Sequence, residues 1–180
     1  MEISETLRLI KTDFRRGMNG IVAASMRGKG INYKVNFGLT LPVIRSLAAK
    51  YDKEALLAES LWSEDIRESK LLAPMLYPVD EMNIKTARRW IDEIPYNEIS
   101  DICCMVLFCK LSFAGDLALE CIESQNSLKR YLGITLLNRL TICGTEIEYP
   151  LTSILKNLQA DGNPAIASAA NNLSLNLDKK

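Results

Sequence analysis

Residues 95–111 read PYNEISDICCMVLFCKL, and the fold turns on how this stretch is understood. Pro95 ends one helical pattern. Asn97 or Ser100 can cap the next, because a short side-chain oxygen accepts from the unpaired N–H groups at a helix start. Asp101 then stands at the threshold of the chain's most apolar run, Ile102 to Cys109. A carboxylate there either caps the helix and offsets the positive end of its dipole, or is a working group held on a buried element. The residues of this stretch alone leave both readings open.

Working outward, helical periodicity dominates and strand-like alternation is nearly absent, so the spacing predicts an all-α chain. Leu7, Ile10, Phe14 and Met18 recur at threes and fours within a first segment over Ile3–Met26, opposite Arg8, Lys11, Arg15 and Arg16. That basic cluster is either a solvated helix face or part of a binding surface. Gly38 predicts a turn, Thr40 a cap, and Pro42 lies in a first turn where a missing N–H costs little. Asp52 is expected to cap a helix through Leu61, Ser63 to begin another that Pro74 kinks near Lys70, and Asp80 to cap the stripe Ile84, Ala87, Ile91, Ile94. Trp62 and Trp90 each sit in an apolar helical pattern, as packing residues do.

Beyond Cys109, Gly115 and Asp116 open a short helix. Leu128, Leu132, Leu136 and Leu140 then follow at fourfold spacing in a helix that starts with Lys129 and Arg130. Cations in a first turn oppose the helix dipole; either an anion is held there or the position is merely solvent-exposed. Pro150 is expected to start a further helix, and a last one runs over 165–177. Helix pairs recur over 40–61, 63–94, 98–123 and 127–158. This spacing suits one domain over 1–180, with an N-terminal helical segment (1–30) and stacked helical hairpins (38–177). A compact irregular bundle is the alternative.

Composition narrows the function. The chain has 180 residues, 48% of them hydrophobic, enough to bury a core. Lys+Arg and Asp+Glu are both 22, so nothing global points to nucleic acid, although residues 1–50 hold nine basic and three acidic side chains and residues 51–100 hold six and eleven. The absence of histidine excludes His-based triads and nearly all catalytic zinc sites. Five cysteines without a CxxC pair read as reduced, mostly buried thiols in a cytoplasmic protein, with no metal and no cofactor implied. The longest apolar run is too short to span a membrane.

Three segments together carry a resemblance: FGLTLPVIRSLAAKY, LWSEDIRESKLLAPMLY, and EISDICCMVL with SLKRYLGI about thirty residues on. With Gly38, Pro42 and Arg45 in a G-x-x-x-P-x-x-R pattern, and Trp62 followed by Arg67 and Glu68, the chain resembles the DNA alkylation repair family of HEAT-like-repeat proteins, the AlkD-like alkylpurine DNA glycosylases. The resemblance implies an α-α superhelix of HEAT-like repeats. It further implies a monomer that acts on duplex DNA and removes or recognises cationic N3- and N7-alkylated purines. It puts Asp101 at the family's catalytic carboxylate and Arg130 at its phosphate-binding arginine. Lys129, Arg45, Arg88 and Arg89 are the further DNA-binding candidates. The chain departs from the pattern at two places: Asn97 stands where the family has a tryptophan, and the second family tryptophan falls near Asn171 or Asn172. A helical-repeat module that binds protein or nucleic acid without catalysis is the competing reading, in which Asp101 is only a cap.

Overall fold

Capped amphipathic segments joined by short turns can bury their apolar stripes only against one another, and they do so here as helix packed on helix. The computed structural model describes residues 2–145 and 151–178. Those residues form eleven α-helices and two short 3-10 turns, with one isolated bridge between Val35 and Ile66 and no strand among them. They gather into two compact units, Met1–Glu81 and Met82–Lys180.

In the first unit lie α1 (Ile3–Arg16), α2 (Gly20–Gly28), α3 (Leu41–Ala48), α4 (Ala55–Trp62) and α5 (Arg67–Leu76). The first segment is thus two helices rather than one. α1 stops at Arg16, leaving Met18 exposed, and Asn19 caps α2 by accepting from the Val22 N–H. Ile10 and Phe14 are fully buried as their spacing predicts.

The segment 35–39 is fastened at both ends. The Val35 N–H donates to the Asp65 carbonyl (3.1 Å), and the Arg67 N–H donates to the Val35 carbonyl (3.0 Å). Glu68, fully buried, accepts from the backbone N–H groups of Phe37 (3.0 Å) and Leu39 (3.2 Å). Arg67 donates to the Leu39 carbonyl (2.9 Å) and to Glu68 (3.2 Å). Gly38 has φ +74°, and a Cβ on it would lie 2.2 Å from the Asn19 carbonyl oxygen. Only glycine fits both the conformation and that approach. The motif residues Gly38, Arg67 and Glu68 therefore build the scaffold of this unit. Trp62 belongs with them: it is fully buried, its carbonyl accepts from Lys70 Nζ (2.8 Å), and the Lys70 ammonium lies 4.6 Å from its ring centre.

Several helix starts fall later than their capping residues suggest. Glu54, not Asp52, precedes α4; Ile66, not Ser63, precedes α5. Thr40 stands at the start of α3 with Pro42 in the first turn as expected, but its side chain makes no capping bond. Pro74 lies inside α5, which nevertheless continues to Leu76.

Within the second unit are α6 (Ile84–Asp92), α7 (Asn97–Val106), α8 (Ala114–Ile122), α9 (Ser127–Ile142), α10 (Leu151–Gln159) and α11 (Pro164–Leu177). Asn83 caps α6 by accepting from the Thr86 N–H, while Asp80 belongs to the 3-10 turn Val79–Glu81 before it. The apolar run does not stay helical: α7 ends at Val106 and a 3-10 turn, Phe108–Lys110, follows. α8 packs on α9 and α10 on α11, while α7, α9 and α11 lie side by side. Gly133 lets α8 and α9 close up, since a Cβ there would sit 2.6 Å from the Ala118 carbonyl oxygen. Pro150, the expected start of α10, lies outside the described residues.

Candidate functional site

Asp101 is not a cap. α7 begins at Asn97, with Tyr96 ahead of it, so Asp101 is the fifth helical residue, beyond reach of the unpaired N–H groups. Its half-buried side chain lies against α9, where the Tyr131 phenol donates to Asp101 Oδ1 at 2.8 Å. Burial raises the Asp101 pKa above the ordinary 3.8. The Tyr131 bond and the positive charge of Arg139 oppose that rise, and Glu98 adds to it. Tyr131 is itself raised, first by burial and then by the bond to Asp101; the nearby Thr135 hydroxyl works the other way.

The start of α9 distributes its side chains by the helical turn of about 100° per residue. Asn126 caps it, accepting from the Leu128 and Lys129 N–H groups. Lys129 turns toward α6 and pairs with Asp92. Arg130 donates to Asp161 in the turn before α11 (3.1 Å), and to the carbonyls of Gln125 (3.1 Å) and Ser124 (3.4 Å). Tyr131 faces α7. The two cations of this first turn, adverse to the dipole, are thus each held by a carboxylate of the chain itself.

Arg130 is thus engaged by Asp161, while the bonded partner of Asp101 is Tyr131. The other sequence-derived cations are also placed. Arg88 grips Glu120 of α8 with three bonds of 2.7–3.0 Å, and Arg89 pairs with Glu93 (3.4 Å). Arg88, Asp92, Glu120, Cys121 and Lys129 line a small cleft of about 190 Å³ between α6, α8 and the start of α9. Arg45 belongs to the first unit, exposed on α3. Asn97 is half-buried at the start of α7, and Asn171 and Asn172 are exposed on α11.

The sequence reading missed Tyr131, Thr135 and Arg139. They recur at four-residue intervals one position ahead of the buried Leu132, Leu136 and Leu140, a polar stripe beside an apolar one. Asn138 lies next to this stripe and accepts from the Asn176 side chain of α11 (2.8 Å). Of the cysteines, Cys103, Cys104 and Cys121 are buried, Cys109 half-buried and Cys143 exposed, all as free thiols. Burial pushes the Cys121 thiol up to about 12. Among the described residues no helix is long and apolar enough to cross a membrane.

Residues 10–173 match the family described as DNA alkylation repair enzyme. The chain is also similar to a solved structure described as one of a new family of proteins related to the HEAT-like repeat DNA glycosylases with affinity for branched DNA structures. The two share 18% identity and a TM-score of 0.81, over 94% of this chain and 74% of that one. At that identity the likeness is one of fold, and the fold is that of HEAT-like helical repeats. No curated protein matches the sequence.

Proposed function

This chain belongs to the DNA alkylation repair enzyme family, and from that premise we propose that it is a monomeric DNA-binding protein that recognises, and slowly excises, cationic N3- and N7-alkylated purines in duplex DNA. One observation carries the reading. Asp101 neither caps its helix nor forms an ion pair among the described residues, yet it is held half-buried against α9 with only Oδ1 bonded to a side chain. A carboxylate so placed serves a positively charged guest.

Breaking the N-glycosidic bond develops positive charge on the sugar, and a fixed carboxylate stabilises that charge better than mobile water does. An alkylated purine is already cationic and leaves well, so no general acid is required. Tyr131 holds the Asp101 rotamer and, by donating to Oδ1, favours its charged form against burial. Asn97, Asn171 and Asn172 cannot supply the cation–π attraction of about 0.5–2 kcal/mol that a tryptophan at either place would give. Discrimination then falls on the Asp101 charge, and the rate is low.

Release of 7-methylguanine from methylated duplex DNA tests this. Wild type is expected to exceed spontaneous loss, and Asp101→Asn to fall by about a hundredfold or more with binding retained. Wild type that releases no base, and prefers methylated duplex no more than plain duplex, leaves the second reading: a helical-repeat module that binds without catalysis. That reading is favoured by the internal ion pairs of Arg88, Lys129 and Arg130, which reduce the positive charge offered to a phosphate backbone.

A further inference from the structure

We propose that Arg139, a residue outside the motif segments quoted above, is the cation that takes a DNA phosphate beside Asp101, and that Arg130 is a structural tie; the inference rests on the DNA-binding reading above. Tyr131, Thr135 and Arg139 occupy i, i+4 and i+8 of α9 and so form one line along the helix, about 12 Å from the first to the last. Tyr131 fixes the near end of that line on Asp101 at 2.8 Å. Arg139 stands at the far end, half-exposed, and its positive charge reaches Asp101. Its side chain makes no hydrogen bond or ion pair among the described residues, and a guanidinium carries five N–H donors.

The other cations of this unit's candidate set are committed. Lys129 is held by Asp92, Arg88 by both oxygens of Glu120, and Arg89 by Glu93. Arg130 is held most completely. One terminal nitrogen meets Asp161, the other meets two backbone carbonyls, and Nε is buried with no partner among the described residues. A phosphate reaching Arg130 would have to displace a carboxylate and strip two carbonyls of their donor. One reaching Arg139 displaces no partner among the described residues. A sugar lying over Asp101 with its strand running along the Tyr131–Thr135–Arg139 line presents its neighbouring phosphate to the guanidinium, which suits bidentate contact with phosphate oxygens.

The experiment is the salt dependence of binding to a short plain duplex, followed by fluorescence anisotropy, for wild type, Arg139→Ala, Arg139→Gln, Arg139→Lys and Arg130→Ala. Loss of one phosphate contact lowers the slope of log K against log salt by about 0.9, which is about eightfold in affinity at 0.1 M salt. Arg139→Ala and Arg139→Gln are expected to show that loss, and Arg139→Lys to keep the slope. Glutamine preserves the side chain's length should alanine impair folding. Arg130→Ala is expected to keep the slope and to melt at lower temperature, because the tie to Asp161 is gone. An unchanged slope in both Arg139→Ala and Arg139→Gln while wild type binds, or a loss that appears in Arg130→Ala instead, overturns the assignment and leaves DNA binding standing. Wild type that binds no DNA overturns both.

Discussion

Replacing Glu68 by glutamine tests how the first unit is held together. Glu68 is fully buried and Arg67 nearly so, and the carboxylate accepts from Arg67 and from two backbone N–H groups of the segment before α3. Glutamine keeps the volume but offers one oxygen, so its amide N–H₂ must face one of the N–H donors. The buried guanidinium keeps the Leu39 carbonyl and loses the Glu68 charge. Removing one partner of a buried pair costs about 3–5 kcal/mol. A native domain has only about 5–15 kcal/mol of stability in total. With a urea dependence of about 2 kcal/mol per molar, a loss of about 4 kcal/mol moves the unfolding midpoint down by about 2 M. Urea titration by far-UV circular dichroism reads that shift directly. A loss below about 1 kcal/mol, the size of an exposed pair, would refute the reasoning. The double substitution Arg67→Met, Glu68→Gln separates the contributions: it restores part of the stability if the guanidinium's loss of the Glu68 charge is the main cost, and none if the lost backbone bonds are.

Three further outcomes are expected. Since burial raises the Asp101 pKa, the folded state binds that proton more tightly than the unfolded one, and the charge costs stability that appears as pH rises through the interval from 3.8 to the raised value and persists above it. Asp101→Asn should therefore melt higher than wild type at pH 7 and alike below about pH 3; a lower melting point at pH 7 contradicts this. Gly133→Ala should cost about 1–3 kcal/mol, because a Cβ 2.6 Å from the Ala118 carbonyl oxygen must push α8 off α9; an unchanged melting curve would show that the helices part freely. Native thiol labelling should modify Cys143 first and Cys109 more slowly, and should leave Cys103, Cys104 and Cys121 until unfolding; early labelling of Cys121 would count against its burial.

How much of this was legible in the sequence depends on how locally each feature is determined. The helices, the buried tryptophans and the turn at Gly38 follow from apolar spacing and from backbone sterics, which act within a few residues. Helix starts were misplaced because capping side chains only compete for that role: Asp52 and Asp80 lost to positions set by packing, and Asp101 was open to a capping reading only because α7 begins directly after Pro95–Tyr96. The partner of Arg130 was not readable, since Asp161 lies thirty-one residues on and reaches it only once α10 and α11 are in place. Tyr131 and Arg139 were readable in principle. Their fourfold recurrence beside the leucines is visible, but their importance depends on which face of α9 meets α7.

The two tryptophans have a use beyond packing. Trp62 lies in the first compact unit and Trp90 in the second, and both are fully excluded from water. Each unit therefore contains a single indole whose emission shifts to longer wavelength when its own core opens. Trp90→Phe leaves a chain whose fluorescence reports the first unit alone, and Trp62→Phe leaves one that reports the second. Emission in the first case carries a further mark, because the Lys70 ammonium 4.6 Å from the Trp62 ring perturbs its excited state until the α4–α5 pairing is lost. The residues that fill the two cores thus make the order in which they melt an optical measurement.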